Sequence, residues 1–148
     1  GLNQYAPMPG LISLREQIAI KTENLYGVNY HPESEITITA GATQAIYTAI
    51  AAMVHEGDEV IIFTPAYDCY EPSIELNCGK PVIVQMNAPD YSINWEQVKK
   101  LINQRTKMII INTPHNPTGT VLSNEDMQAL EKIVSDTDIV VISDEVYE

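Results

Sequence analysis

Two apolar runs, Met108-Ile109-Ile110-Ile111 and Ile139-Val140-Val141-Ile142, each break directly into a polar string. The first leads into Asn112-Thr113-Pro114-His115-Asn116-Pro117-Thr118-Gly119, the second into Ser143-Asp144-Glu145-Val146-Tyr147. An uninterrupted apolar run is how a strand reads when both of its faces are buried. Such strands belong to parallel sheets, and ligands bind these sheets just beyond the carboxyl ends of the strands. The two strings therefore stand where a small polar ligand would sit. They offer it an amide, a carboxylate and a phenol.

The rest of the chain repeats the same alternation. Residues 11–26 read as a helix with Leu11, Leu14, Ile18 and Leu25 on one apolar face, closed by Gly27. Ile36–Thr39 reads as a first short strand, then the helix Gln44–His55, ended by Gly57. Strands follow at Val60–Phe63 and Val82–Met86, with a helix at Glu71–Asn77 between them. Asn94 with Gln97 resembles a capping box opening a helix at 95–103, and Ser123 with Asp126 opens another at 124–135. Met108–Asn112 and Ile139–Ser143 complete five strands. The expectation is an α/β fold, doubly wound, with a mostly parallel sheet and helices on both faces. There is no internal repeat, linker or low-complexity stretch.

Composition narrows the function. A chain of 148 residues, 45% hydrophobic and 19% charged, has the make-up of one globular domain. Its net charge of −12 argues against nucleic acid or an anionic membrane as partner, since both need a cationic face. Two cysteines, Cys69 and Cys78, make no disulfide framework, and no leader or membrane-spanning run is visible. The expected location is the cytoplasm.

Each strand end then carries its own signal. Thr39-Ala40-Gly41-Ala42-Thr43-Gln44 passes from strand to helix, so Ala42 and Thr43 lie at a positive helix end where a phosphate is physically expected. A plain glycine turn capped by Thr43 reads equally well. Tyr67, in Thr64-Pro65-Ala66-Tyr67-Asp68-Cys69-Tyr70, can stack on a flat heteroaromatic ring, although two tyrosines packed under a loop give the same pattern. Asn116 sits in a turn stiffened by prolines. His115 reads as a structural hydrogen-bonder. Asp144 follows an apolar strand and should be buried, which demands a partner. A protonated ring nitrogen satisfies that demand, and so does an arginine, of which the chain has Arg15 and Arg105. Tyr147 lies three residues on. Together these residues fit a planar, phosphorylated pyridinium: phosphate on Ala42 and Thr43, ring face on Tyr67, phenolic oxygen near Asn116 and Tyr147, ring nitrogen on Asp144.

These motifs, in this order and through almost the whole chain, resemble the large domain of class I/II aminotransferases, the fold type I pyridoxal-phosphate enzymes. Asn3-Gln4-Tyr5-Ala6-Pro7, Gly10 and Leu14-Arg15 are similar to the family's N-terminal stretch, and Thr39 to Thr43 to its phosphate loop. Thr113 to Gly119 and Ser143 to Tyr147 resemble its two cofactor motifs. The stretch Asn3–Pro9, Tyr67 to Tyr70 and the form of the first cofactor motif look like the methionine and kynurenine aminotransferase branch. The resemblance implies pyridoxal 5'-phosphate as cofactor, held by Ala42, Thr43, Tyr67, Asn116, Asp144 and Tyr147. It further implies that Asp144 keeps the pyridine nitrogen protonated, which makes the cofactor an electron sink. Tyr5 matches a tyrosine that reaches the partner subunit's cofactor, so a homodimer is implied.

The same resemblance defines what the 148 residues lack. The family's Schiff-base lysine lies beyond the Asp-x-x-Tyr motif, and none of Lys21, Lys80, Lys99, Lys100, Lys107 or Lys132 matches its context. The substrate-carboxylate arginine of the small domain is missing as well. The expectation is a partial cofactor-binding large domain at 1–148, without catalytic residues or a metal site of its own. Alone, it is expected to be inactive and to aggregate or borrow a partner. The implied reaction transfers an amino group from a hydrophobic or sulfur-containing amino acid, such as methionine or an aromatic one, to a 2-oxo acid. Two alternatives stay open: a carbon–sulfur β-lyase on the same cofactor, and a non-catalytic aminotransferase-like effector-binding module.

Overall fold

The computed structural model describes residues 4–147; Asn3, the first residue of the N-terminal motif, lies outside the described residues. The chain forms two compact units, one up to Gln44 and one from Ala45 onward.

In the first unit, helix α1 spans Ile12–Tyr26 and ends at Gly27, whose φ of 69° lets its N–H turn back to the Glu23 carbonyl at 2.9 Å. Its buried residue is Arg15, which donates from Nη1 to the carbonyls of Pro32 (2.7 Å) and Glu33 (3.3 Å). The apolar face expected from Leu11, Leu14, Ile18 and Leu25 is not a buried one. Leu11 caps the helix, and Leu11, Leu14 and Leu25 are all exposed. The guanidinium, with two carbonyls to satisfy, turns inward in their place. Ile36–Thr39 is likewise no strand: its ladder is replaced by a single bond from Ile38 N–H to Pro9 O at 2.9 Å. Alternating β-branched residues favour extended backbone, but a strand exists only where a second strand pairs with it. That bond brings Gly10 against Ile38 so closely that a Cβ on Gly10, at φ +98°, would lie 2.6 Å from the Ile38 side chain. Only glycine fits there.

The second unit carries a four-stranded, all-parallel sheet in the order β2-β1-β3-β4 among the described residues. The strands are β1 (Glu59–Thr64), β2 (Lys80–Gln85), β3 (Thr106–Asn112) and β4 (Val140–Asp144). Four of the five expected strands are thus present, each within a few residues of its expected place. The central strands β1 and β3 are buried almost throughout, as their unbroken apolar runs required. Helix α2 (Ala42–Met53) starts two residues earlier than the sequence suggested and buries Ile46 and Ile50. Helix α3 (Tyr70–Leu76) lies against β1 and β2.

One sheet face packs Ile61, Phe63, Val84, Ile109 and Ile111 against Val98 of α4 (Trp95–Leu101) and Leu130 of α5 (Asn124–Val134). Residues of the opposite parity, Val60, Ile62, Met108 and Ile110, are buried on the other face. The α/β expectation therefore holds, with the core on both sides of the sheet. Helix α5 opens with a complete capping box, Ser123 Oγ accepting from Asp126 N–H at 3.1 Å and Asp126 Oδ2 accepting from Ser123 N–H at 2.9 Å. At α4 the half of the box from Gln97 N–H to Asn94 Oδ1 is formed at 3.0 Å. At the amino end of the sheet, buried Glu59 takes Asn103 Nδ2 at 2.8 Å, Arg105 Nη2 at 3.1 Å and Lys80 Nζ at 3.3 Å. Arg105 is thereby committed to a carboxylate other than Asp144.

Candidate cofactor site

Strands β3 and β4 run side by side, with Asn112 directly opposite Asp144 at their carboxyl ends. This pairing joins the two motifs singled out in the sequence. The Asn112 side chain, itself buried, donates to Asp144 O at 2.8 Å and to Pro114 O at 3.1 Å, while its Oδ1 accepts Asn116 N–H at 2.7 Å. Thr113 N–H adds a bond to Asp144 O at 3.1 Å. One amide thus fixes where the first motif turns and where the second begins.

Asp144 is 9% exposed, as its place after an apolar strand required. Its Oδ2 accepts the hydroxyl of Tyr70 at 2.5 Å, and its Oδ1 accepts Val146 N–H at 3.2 Å. No cation of the sheet-bearing unit pairs with it among the described residues. A carboxylate offers about four acceptor positions, and Tyr70 and Val146 take one each. Tyr70 is 3% exposed; burial, and next the carboxylate of Asp144, push its phenol well above the ordinary tyrosine range. It remains a donor at any working pH. Its ring meets that of Tyr67 edge to face, with centroids 5.9 Å apart and planes at 78°. Tyr67 is half-buried, so part of its ring surface is accessible.

Asn116 and Tyr147 line one open concavity together with Pro114, His115, Pro117 and Gly119. The side-chain amide of Asn116 makes no hydrogen bond among the described residues, and Tyr147 is 57% exposed. Both polar groups are therefore available to a ligand. His115 is buried, and burial holds its imidazole below the usual histidine range. Its Nδ1 lies 2.8 Å from Thr118 Oγ1, and its backbone closes the turn through bonds to Thr120 O and from Gly119 N–H. The imidazole braces the turn.

In the first unit, Ala42 and Thr43 form the first turn of α2, after Gly41 at φ +119°. Thr43 is inside the helix and so is not its N-cap. The turn is tied by Thr39 Oγ1 donating to Gly41 O at 2.9 Å and Ala40 N–H donating to Gln44 Oε1 at 2.6 Å. Ala42 is half-buried and Thr43 exposed. Tyr5 is fully exposed.

Two contributors escaped the sequence reading. Tyr70 lies in a stretch whose sequence suggests stacking or packing of its aromatics, yet its hydroxyl bonds Asp144. Asn112 carried the same signal as Asp144, a polar residue ending an apolar strand, and could have been found by it.

The family description "Aminotransferase class I and II" matches residues 1–148 of this chain. The chain belongs to that family. It is 49% identical to a methionine aminotransferase from Escherichia coli, and the match covers all of this chain and 38% of that protein. The crystal structure of an Escherichia coli protein identified as a methionine aminotransferase superposes on all of it with a TM-score of 0.97, using 39% of that chain. A probable N-succinyldiaminopimelate aminotransferase from Mycobacterium tuberculosis is 40% identical over 151 residues. Human kynurenine–oxoglutarate transaminase 3 is 37% identical over 157 residues. The chain spans about 38% of the length of the first curated relatives it matches. Class I and II aminotransferases depend on pyridoxal phosphate. The residues found here fit that group on their own chemistry: a buried carboxylate held by a neutral phenol, with no cation of its own unit paired to it among the described residues, suits a cationic ring nitrogen.

Proposed function

We propose that this chain is the N-terminal part of the cofactor-binding large domain of a pyridoxal-phosphate aminotransferase. The whole enzyme would act in the cytoplasm as a homodimer, moving an amino group from a hydrophobic or sulfur-containing amino acid to a 2-oxo acid. Methionine heads the expected donors, supported by the 49% identity to a methionine aminotransferase. The observation that carries the reading is Asp144, buried at the end of β4 and held by a neutral phenol where an ordinary core would place a cation.

Each residue has its part in this reading. Asp144 faces the pyridine nitrogen and keeps its proton in place. Tyr67 supplies a ring to stack on. Asn116 and Tyr147 bond the phenolic oxygen from one concavity, and Ala42 with Thr43 receive the phosphate at the start of α2. Tyr5 reaches the partner's cofactor. When bound, the cofactor supplies an electron sink for chemistry at the substrate Cα. The chain's contribution is to bind and orient that group and to fix its charge state.

The test is an assay of the whole enzyme with pyridoxal phosphate, methionine and a 2-oxo acid. Formation of the oxo acid of methionine, dependent on the added acceptor, is expected. Release of ammonia and pyruvate from cystathionine without an acceptor would favour the β-lyase instead. Uptake of cofactor with neither reaction would favour the effector-binding module.

A further inference from the structure

Tyr70 occupies a position that the aminotransferase reading leaves without a task. It is 3% exposed, and its ring and hydroxyl make different contacts. The ring stands edge-on to Tyr67 with centroids 5.9 Å apart. The hydroxyl reaches Asp144 Oδ2 at 2.5 Å, across 74 residues of sequence. A phenol O–H donating to a carboxylate makes a stronger bond than one between neutral groups. Val146 N–H holds the other oxygen at 3.2 Å, so both oxygens of the carboxylate are tied and its plane is fixed. A core that merely needed to fill space next to Tyr67 would use phenylalanine. The hydroxyl needs another reason.

We propose that Tyr70 is a positioning residue: it pins the carboxylate of Asp144 through its hydroxyl and the ring of Tyr67 through its edge. It so sets two sides of the cofactor cradle at once. This rests on the reading of Asp144 and Tyr67 as cofactor-binding groups. A phenol suits the task because it is neutral. A lysine or arginine in its place would neutralise the carboxylate and remove its attraction for a ring cation. Tyr70 holds the acid without competing for its charge, and its raised pKa keeps the proton on the phenol.

Two measurements on the whole enzyme test this. The first uses the apoenzyme with 3-fluorotyrosine at position 70, observed by fluorine NMR. Its resonance should move on Asp144→Ala, and an unmoved resonance would show that the hydroxyl does not engage the acid. The second uses Tyr70→Phe, which keeps the ring against Tyr67 and removes only the oxygen. Its dissociation constant for pyridoxal phosphate should rise about 10-fold, the scale of a lost hydrogen bond to a charged group. The visible circular dichroism of the bound cofactor should change with it. Wild-type affinity and an unchanged spectrum in Tyr70→Phe would overturn the proposal, because a packing role survives that substitution. Should the wild-type enzyme take up no pyridoxal phosphate, the aminotransferase reading fails, while the fluorine experiment still decides whether Tyr70 holds Asp144.

Discussion

Asn112 and Asp144 face each other as the last pair of the β3–β4 ladder, and the amide of one bonds the carbonyl of the other at 2.8 Å. Through this pair the two polar motifs become one structure. The turn that carries Asn116 is hung on Asn112 Oδ1, and the acid that ends β4 is held in register beside it.

The first prediction concerns that pair. Asn112→Ala strips a buried side chain that makes three hydrogen bonds, leaving the carbonyl of Pro114 and the N–H of Asn116 without their partner. Such losses cost about 1–3 kcal/mol for each buried group left unsatisfied. Denaturant unfolding of the whole enzyme should show destabilisation of about 2–3 kcal/mol. A change within ±0.5 kcal/mol, the range of neutral surface substitutions, would mean that the motifs hold their places without Asn112.

The capping box of α5 makes a smaller demand. Ser123→Ala removes the side-chain acceptor of Asp126 N–H and should destabilise by about 1 kcal/mol. Ser123→Gly should cost only a few tenths. Equal losses in the two variants, read from urea midpoints, would place the effect elsewhere than the cap.

Glu59 sets an acid limit on stability. Its carboxyl is held below the ordinary value of 4.5, first by the Asn103 amide and then, against the opposing effect of burial, by Lys80 and Arg105. A carboxyl whose folded pKa is depressed stabilises fully above the unfolded value, and that contribution is lost as pH falls through the folded one. Part of the enzyme's stability should therefore disappear below about pH 4.5. Glu59→Gln should flatten that limb in a pH series of thermal melts. An identical acid limb in the variant would contradict the role.

Cys69 should be slow to react. Burial, then the charges of Asp144 and Asp68, push its thiol up to about 11, while Cys78 is exposed. Alkylation at pH 8 followed by mass spectrometry should label Cys78 well before Cys69, because the thiolate is the nucleophile. Preferential labelling of Cys69 would mean that its surroundings are more open or more cationic than described.

Much of this was legible in the sequence because burial writes itself into composition. The central strands β1 and β3 announce themselves as unbroken apolar runs, and Ser123 with Asp126 marks a helix start by local chemistry alone. Asp144 could be placed and judged buried from the four apolar residues before it. What escaped depends on contacts between distant segments. Ile36–Thr39 has the residues of a strand, but pairing is decided by neighbours that the local sequence does not name. The leucines of α1 suggest an inward face, yet Arg15 takes that place because two carbonyls at 32 and 33 await it. Tyr70 meets Asp144 only because β1 and β4 end on the same side of the sheet. No spacing rule within either motif reveals that meeting.

The charge state of the ring nitrogen is the most direct test of the role given to Asp144. The whole enzyme loaded with pyridoxal phosphate labelled with nitrogen-15 in the ring would be observed by NMR, beside Asp144→Ala. The wild type should show the shift of a protonated pyridinium across neutral pH, and the variant that of a neutral pyridine. The same protonated shift in both proteins would contradict the account.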